Sequence, residues 1–161
     1  MATNSEQEFI ERIQKHSGII HKIIHLYVDD LEDQRDLHQE ILLQAWKSFA
    51  QFRGDARFST WLYKVSLNTA LTFQRKQTRQ AKLAEISETI AEDSSEQADR
   101  SDLLYRLVRQ LHQVDRMIMT LHLEGYKNGE IAEITGLTLN HINVKLHRLK
   151  NQIINQLGMR N

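Results

Sequence analysis

The sequence contains no proline in 161 residues, and its apolar side chains recur every three to four positions. Proline removes a backbone donor and ends helices, so its absence permits long helices. A β-rich chain with many turns would need more turn residues than this one has. The spacing of Phe9, Ile13 and Ile20 matches one face of a helix. We therefore predict an all-α fold.

Capping signals divide the chain into successive helices. Serine or threonine followed three residues later by glutamate opens a helix, and aspartate is also a good cap. The predicted caps in the first half are Thr3 or Ser5, Asp29 or Asp30, and Ser59 or Thr60. The predicted helices cover about residues 3–27, 31–52, 61–82, 103–111, 114–123, 129–135 and 138–157, with a break at residues 53–55.

A polar stretch separates two groups of helices. Residues 86–100 are rich in Ser, Glu and Asp and have no apolar period after Ile90, which is typical of a flexible linker. We predict two small all-helical modules, 1–84 and 102–161, joined by a flexible acidic linker at 85–101. Each module is small enough to bury only about 60% of its unfolded surface, so each would benefit from a partner.

The second module contains the pattern of a helix-turn-helix. Asn128 can cap its first helix, whose Ile131 and Ile134 point inward. Gly136 can take the positive φ of a tight turn, and Thr138 can cap the next helix. We therefore predict that the second module is a helix-turn-helix domain of four helices that binds DNA.

The last helix has a buried and a free side. Its predicted buried stripe consists of Leu139, Ile142, Leu146, Leu149 and Ile153. On the other side, Asn140 and His141 can reach base edges and Val144 can meet a thymine methyl group. The predicted phosphate contacts are Lys145, Arg148 and Lys150. An ordinary amphipathic helix with a basic surface is the alternative.

The first module contains a longer pattern. It reads Asp36-Leu-His-Gln-Glu40, then Ala45-Trp46, then Phe52-Arg-Gly-Asp-Ala-Arg-Phe58-Ser-Thr-Trp61-Leu, with Asn68 further on. Here the chain resembles the extracytoplasmic-function (ECF) sigma factors, the smallest initiation factors of the primary sigma-factor superfamily. The resemblance covers roughly residues 10–155. It implies a bacterial transcription initiation factor, without cofactor or catalysis, that directs core RNA polymerase to promoters.

The resemblance also implies residue roles in the first module. Asp36, Gln39 and Glu40 would dock on the clamp helices of the polymerase β′ subunit, and Asp33 lies near the same stripe. The loop 52–60 would capture a flipped base of the −10 element, and the third helix would hold the separated strand. The candidates for these DNA contacts are Arg53, Arg57, Phe58, Lys64, Asn68, Arg75 and Lys76. We expect Trp46 and Trp61 to be core residues.

In the second module, the helix-turn-helix would read the −35 element. Relatives often have Val-Lys followed by Ser-Arg where this chain has Ile142-Asn143 and Val144-Lys145. Asn143 removes one expected phosphate contact, and lysine cannot replace arginine in a bidentate contact. The −35 preference therefore cannot be taken from a relative. The resemblance further implies contact with the polymerase β flap and control by an anti-sigma factor.

Two other classes of function are alternatives to this interpretation. A stand-alone helix-turn-helix regulator would bind duplex DNA without polymerase, but it has no use for the first-module pattern. A metal-dependent enzyme is a weaker alternative, since His21 and His25 lie four residues apart but lack an evident third ligand. No phosphate-binding glycine loop or nucleophile motif is present. The polar start and the absence of a long apolar run favour a cytoplasmic protein without membrane insertion.

The net charge of zero, 21 basic against 21 acidic residues, would by itself argue against a nucleic-acid partner. The charges are however sorted into blocks. Residues 29–40 contain six acids and one base, whereas residues 56–84 contain six bases and no acid. The linker is acidic again, and the segment from Thr138 onward has four bases and no acid. Such blocks suggest separate charged partners.

Overall fold

The computed structural model describes residues 3–83 and 100–158. The chain divides into two compact units, Met1–Ala84 and Glu85–Asn161. The described residues form eight helices and no strand, as the all-α prediction requires. Up to residue 99, the predicted acidic linker lies outside the described residues. The helices are α1 (Asn4–Lys15), α2 (Ser17–Tyr27), α3 (Leu31–Phe49), α4 (Phe58–Leu83), α5 (Arg100–Gln110), α6 (Gln113–Leu123), α7 (Asn128–Thr135) and α8 (Leu139–Gln156).

The first unit is built around the long helix α4, which packs against both α2 and α3. The apolar stripes of the three helices meet in one core that is almost free of solvent. A side-chain hydrogen bond adds to this packing, because Gln74 Nε2 donates to the backbone oxygen of Tyr27 at 2.7 Å and ties α4 to the end of α2. The core side chains include Ile20, Ile23, Leu37, Ile41, Leu62 and Leu67.

An aromatic cluster closes one end of the first unit. Phe49 lies 5.2 Å from Phe9 and 6.2 Å from Trp61, measured between ring centroids. Such edge contacts stabilise by about 0.5–1.5 kcal/mol each beyond simple burial. Trp46 stands at the rim, 5.1 Å from Phe9, and 40% of its surface remains exposed. The prediction that Trp46 is a core residue was therefore wrong, because the indole stands at the rim of the cluster, with Phe9 and Phe49 on one side and solvent on the other.

The second unit has its own core. Helix α6 packs against α5, α7 and α8, and α7 packs against α8. Ile131 and Ile134 of α7 point inward as predicted. The buried side chains of this unit include Val108, Ile118, Leu121, Ile131, Ile142 and Leu146. None of the helices in the described part of the chain is both long enough and apolar enough to cross a membrane.

The caps follow the sequence in some places and not in others. Thr3 and Glu6 form the predicted capping box, and Asp30 caps α3 by accepting from the Asp33 N–H at 3.0 Å. The first predicted helix is however two helices, since His16 leaves the helical conformation with φ −113° and ψ 18°. Helix α4 starts at Phe58, so Ser59 and Thr60 are inside its first turn and do not cap it.

Candidate nucleic-acid and protein interfaces

Helix α3 presents an acidic face, which we define as Asp33, Asp36, Gln39 and Glu40. The face points outward because the other side of the helix is fixed in the core, where Leu37 and Ile41 are fully buried. Asp36 and Gln39 are exposed, whereas Asp33 and Glu40 are half-buried. Glu40 accepts a hydrogen bond from Gln44 Nε2 at 2.9 Å, which orients its carboxylate.

Two apolar side chains continue the acidic face toward the end of α3. Leu43 is 45% and Trp46 is 40% exposed, and they follow Gln39 by four and seven residues. Residues at this spacing share one side of a helix. Leu43 is not among the residues predicted from the sequence, although its position on the helical wheel opposite Leu37 and Ile41 gives the signal. The face therefore combines charge with exposed apolar area, as protein interfaces commonly do.

A groove of 470 Å³ runs between α3 and α4. Asp36 and Glu40 line its α3 side, and Asn68 and Lys76 line its α4 side. The structure thus brings together two residues predicted for polymerase and two predicted for DNA. Opposite charges stand across the groove, since Asp36 and Glu40 of the acidic face lie opposite Lys76 in the C-terminal half of α4.

The segment between α3 and α4 contains residues 52–57 of the predicted base-capturing loop, whereas residues 58–60 form the first turn of α4. Gly54 takes a φ of +79°, which a residue with a Cβ adopts only at a cost. Arg53 and Arg57 on either side of it are exposed. Phe58 is only 8% exposed, with its ring 5.2 Å from Trp61. Phe58 therefore supports the loop from inside, while the two arginines face solvent.

Arg12 of α1 is a part of this region that was not predicted from the sequence. Its guanidinium carbon lies 5.6 Å from the ring centres of both Phe52 and Phe58, a cation–π arrangement. The same guanidinium pairs with Glu8 at 2.8 Å. These side chains line a shallow groove of 450 Å³ that also includes Arg53. No local pattern marks Arg12, because the loop it contacts lies some forty residues further on.

The exposed side of α4 carries the other predicted DNA contacts. Lys64, Asn68 and Arg75 are exposed and fall on one stripe of the helix at about 100° per residue. Lys76 is exposed at the side of this stripe that borders the groove with α3. The predicted DNA contacts that lie on α4 are therefore exposed to solvent, with the exception of the buried Phe58.

The helix-turn-helix has the geometry that its sequence predicts, with two corrections. Gly136 takes a φ of +76°, and Thr138 caps α8 by accepting from the His141 N–H at 3.2 Å. The cap of α7 is Lys127 and not Asn128, because Lys127 N–H donates to Glu130 Oε2 at 2.8 Å. Leu139 was predicted to be buried, but it is 50% exposed since it lies in the first turn, ahead of the core.

The other four residues of the predicted stripe of α8 are buried, and the opposite side of the helix is exposed to solvent. Ile142, Leu146, Leu149 and Ile153 are each at most 5% exposed. Val144 is 41% exposed, an apolar side chain in the middle of a polar surface. The other predicted contacts that are exposed on α8 are Asn140, His141, Arg148 and Lys150.

Lys145 differs from the other predicted phosphate contacts. Its Nζ lies 2.8 Å from Asp115 Oδ1 of α6, and the two side chains are only 27% and 26% exposed. His122, in the last turn of α6, is affected by another lysine of α8: burial, and to a lesser extent the charge of Lys150, lowers the pKa of His122. Lys145 is thus held in an ion pair with α6, whereas the side chains of Arg148 and Lys150 are exposed.

The histidines of the first unit form a small cluster of a different kind. The rings of His21 and His38 stack with their centroids 5.6 Å apart. Burial, and to a lesser extent the neighbouring His21, lowers the pKa of His38. Within residues 3–83 and 100–158, no group of three or more histidine or carboxylate side chains is placed to hold a metal ion.

Comparison with protein families matches residues 12–80 to sigma-70 region 2 and residues 101–153 to sigma-70 region 4. Similar proteins include the RNA polymerase sigma-H factor of Pseudomonas aeruginosa and the ECF RNA polymerase sigma-E factor of Escherichia coli. Each is 24% identical and aligns over 95% of this chain and 94% of its own length. The RNA polymerase sigma factor SigV of Bacillus subtilis is 28% identical over 84% of this chain and 82% of its own length.

Two solved structures share the fold. The sigma factor RpoE, crystallised with the anti-sigma factor NepR from Bartonella quintana, matches with a TM-score of 0.77 at 16% identity. That match covers 96% of this chain and 99% of RpoE. CnrH, in complex with the cytosolic domain of CnrY, matches with a TM-score of 0.66 at 16% identity, over 96% of this chain and 90% of CnrH.

Proposed function

The chain belongs to the extracytoplasmic-function class of the sigma-70 family, and on that premise we propose how its surfaces divide the work of promoter recognition. It is a polymerase-binding factor that confers promoter specificity. The family consists of transcription factors and not of enzymes. In the proposal each surface has its own partner, and the two predicted modules, 1–84 and 102–161, are the working units.

The acidic face of α3 is the proposed polymerase-docking surface. One observation carries the proposal: the carboxylates of Asp36 and Glu40 stand on a helix whose opposite side is locked into the core. A rigidly presented acidic surface favours a basic partner and speeds encounter with it. Leu43 and Trp46 add apolar area to the same side. The proposed partner surface is the pair of clamp helices of the β′ subunit, with the β flap contacted by the second module.

The loop after α3 and the free side of α4 are the proposed −10 surface. Arg53 and Arg57 supply exposed positive charge around the turn at Gly54, where a flipped base can be captured. Lys64, Asn68 and Arg75 continue along α4 and suit the phosphates of a separated strand. Phe58 acts in this proposal by holding the turn from below, since its ring is buried.

Helix α8 is the proposed −35 reader. It follows the turn at Gly136, and its exposed side carries Asn140, His141 and Val144 near the N-terminal half. Residues at the start of a recognition helix reach base edges in the major groove, while lysine and arginine side chains bind phosphates. Arg148 and Lys150 are exposed and suit the second role.

We also propose an anti-sigma partner and action in the bacterial cytoplasm. The support is that RpoE was solved with an anti-sigma factor and CnrH with a cytosolic domain. The exposed apolar residues of α3 give such a partner a surface to cover. A partner that covers the acidic face would compete directly with polymerase.

The test is run-off transcription with core polymerase on promoters of the source organism. The wild-type chain should initiate at a subset of them, and Asp36→Ala with Glu40→Ala should weaken core binding by at least about tenfold. The double variant should not lower the affinity of the chain for single-stranded −10 DNA, because it only removes negative charge across the groove from Lys76. The matched control is Glu11→Ala with Glu133→Ala, which removes the same charge from exposed positions on α1 and α7.

Two results would contradict the proposal in different ways. A wild-type chain that binds duplex DNA but never initiates with core polymerase would favour a stand-alone helix-turn-helix regulator. Equal loss of core binding in the control pair would mean that net charge, and not the acidic face, governs docking.

A further inference from the structure

Three consecutive residues in the N-terminal half of α8, Asn143, Val144 and Lys145, have three different environments. Asn143 Oδ1 accepts a hydrogen bond from Asn128 Nδ2 of α7 at 2.7 Å. Lys145 Nζ pairs with Asp115 Oδ1 of α6 at 2.8 Å. Val144, between them, is 41% exposed and meets solvent.

Helical geometry explains this arrangement. Successive residues are about 100° apart around the axis, so Asn143 and Lys145 lie on opposite flanks of the side that carries Val144. Ile142 and Leu146 are buried and define the core side. One flank therefore reaches back to α7 and the other to α6. A rotation of α8 about its own axis in either direction would stretch one of the two contacts.

The apolar core contributes no directional bond to that rotation. Ile142, Leu146 and Leu149 are buried and pack through dispersion contacts, each of which is weak on its own. A hydrogen bond and an ion pair are directional and weaken steeply with misalignment. The ion pair is also half-buried, so solvent screens it less than an exposed surface pair.

We propose that the pairs Asn128–Asn143 and Asp115–Lys145 form a two-sided clamp that sets the rotation of α8 and thereby aims Val144 at the −35 bases. The four residues are positioning residues for sequence reading, and the proposal rests on the −35 function proposed above. Lys145 is then held by the protein and does not serve as a phosphate contact, which changes the role that its residue type suggests.

The two roles of Lys145 predict opposite effects at Asp115. If Lys145 bound a phosphate, Asp115→Ala would free its ammonium group and remove a nearby negative charge, so DNA affinity would rise. If the clamp acts, Asp115→Ala loosens α8 as Lys145→Ala does, and both blur the reading of bases. The double variant should then be no worse than either single variant, because one pair is lost in all three.

The experiment uses the full chain with core polymerase on a promoter library randomised at the −35 bases. We expect Asp115→Ala, Lys145→Ala and their double variant each to lower discrimination between the best and worst −35 bases by about fivefold, within the range that a single base contact provides. Asn128→Ala and Asn143→Ala should act in the same direction. The salt dependence of promoter binding should stay nearly unchanged, whereas loss of a phosphate contact would lower its slope by about one.

Two controls separate positioning from folding. Lys145→Arg, which keeps the ion pair, should retain discrimination, and the exchanged pair Asp115→Lys with Lys145→Asp should recover part of it. Amide exchange at Ile142, whose N–H donates to the Thr138 oxygen at 3.0 Å, reports that α8 is still folded in each variant.

Three other outcomes would each overturn a stated part of the proposal. Higher affinity and unchanged base preference in Asp115→Ala would overturn the clamp and return Lys145 to phosphate binding. Losses that add in the double variant would also overturn it. A wild-type holoenzyme that ignores the −35 bases would overturn both the −35 function and the clamp.

Discussion

Replacing Gly136 by alanine tests the turn that joins the two helices of the helix-turn-helix. Gly136 has a φ of +76°, and its N–H donates to the Ala132 oxygen at 2.9 Å, which ends α7. A Cβ added there meets no heavy atom within 4 Å. The effect of Gly136→Ala therefore comes from backbone strain and not from a clash.

The size of the effect follows from two opposing terms. Forcing a residue with a Cβ into the left-handed region costs about 1–2 kcal/mol. Alanine also restricts the unfolded chain, which offsets about 0.4–1 kcal/mol. We expect a net loss of about 1 kcal/mol in the free energy of unfolding of the second unit. Gly136→Asn should lose less, because asparagine tolerates this conformation.

Gly129 provides the matched control seven residues earlier. It lies inside α7, and a Cβ added there also meets no heavy atom within 4 Å. Glycine in a helix is less stable than alanine by about 0.5–1 kcal/mol. Gly129→Ala should therefore stabilise the same unit by about 0.5 kcal/mol, so the two variants differ in sign.

The measurement must report the second unit alone. Both tryptophans, Trp46 and Trp61, belong to the first unit, so tryptophan fluorescence would miss the effect. Native-state amide exchange at Ile142 and Leu146 measures opening of the second unit directly. The two glycine variants should differ by about tenfold in exchange rate at these amides. Equal rates in the two variants, or slower exchange in Gly136→Ala, would refute the backbone argument.

Two further predictions concern sequence reading by α8 and the pH dependence of stability. Val144→Ala should change the preferred −35 sequence more than Arg148→Ala does, whereas Arg148→Ala should lower the affinity for all sequences. Promoter libraries measure both effects. If both variants lose affinity equally for all sequences, the assignment of base-reading and phosphate-binding residues on α8 is contradicted. Because burial and His21 lower the pKa of His38, the unfolded chain binds more protons, so stability falls as the pH drops below the ordinary value of 6.5. His21, His25 and Arg35 line a surface groove that His38 also lines, and no residue lining this groove is negatively charged. His38→Gln should therefore flatten the loss of stability between pH 7 and 5 in urea titrations, and an unchanged pH profile would contradict this origin.

The parts of the fold that could be predicted are those that depend on residues close together in the sequence. The turn at Gly136 and the cap at Thr138 depend on residues within a few positions of each other, so the sequence specifies them directly. The buried stripe of α8 follows from its three- and four-residue spacing in the same way. The outward direction of the acidic face likewise follows from Leu37 and Ile41, which mark the side of α3 that must be buried.

The features that were missed depend on contacts between distant positions. Asp115 and Lys145 are 30 residues apart, and Asn128 and Asn143 are 15 apart. No periodicity reveals that these pairs meet, because their meeting depends on how α6, α7 and α8 pack. Trp46 shows a related limit. Its residue type favours burial, but its place at the rim of the aromatic cluster leaves it partly exposed.

The balance of 21 basic and 21 acidic residues is compatible with DNA binding because charge acts locally. At physiological ionic strength the Debye length is about 8 Å, so a bound partner senses the nearest side chains and little of the remainder. A chain with zero net charge can bind DNA when its positive and negative side chains lie on different helices. Across the groove of the first unit, Asp36 and Glu40 stand on α3 and Lys76 stands on α4. A basic protein surface and a nucleic-acid strand can therefore approach neighbouring helices, each meeting charge of the opposite sign.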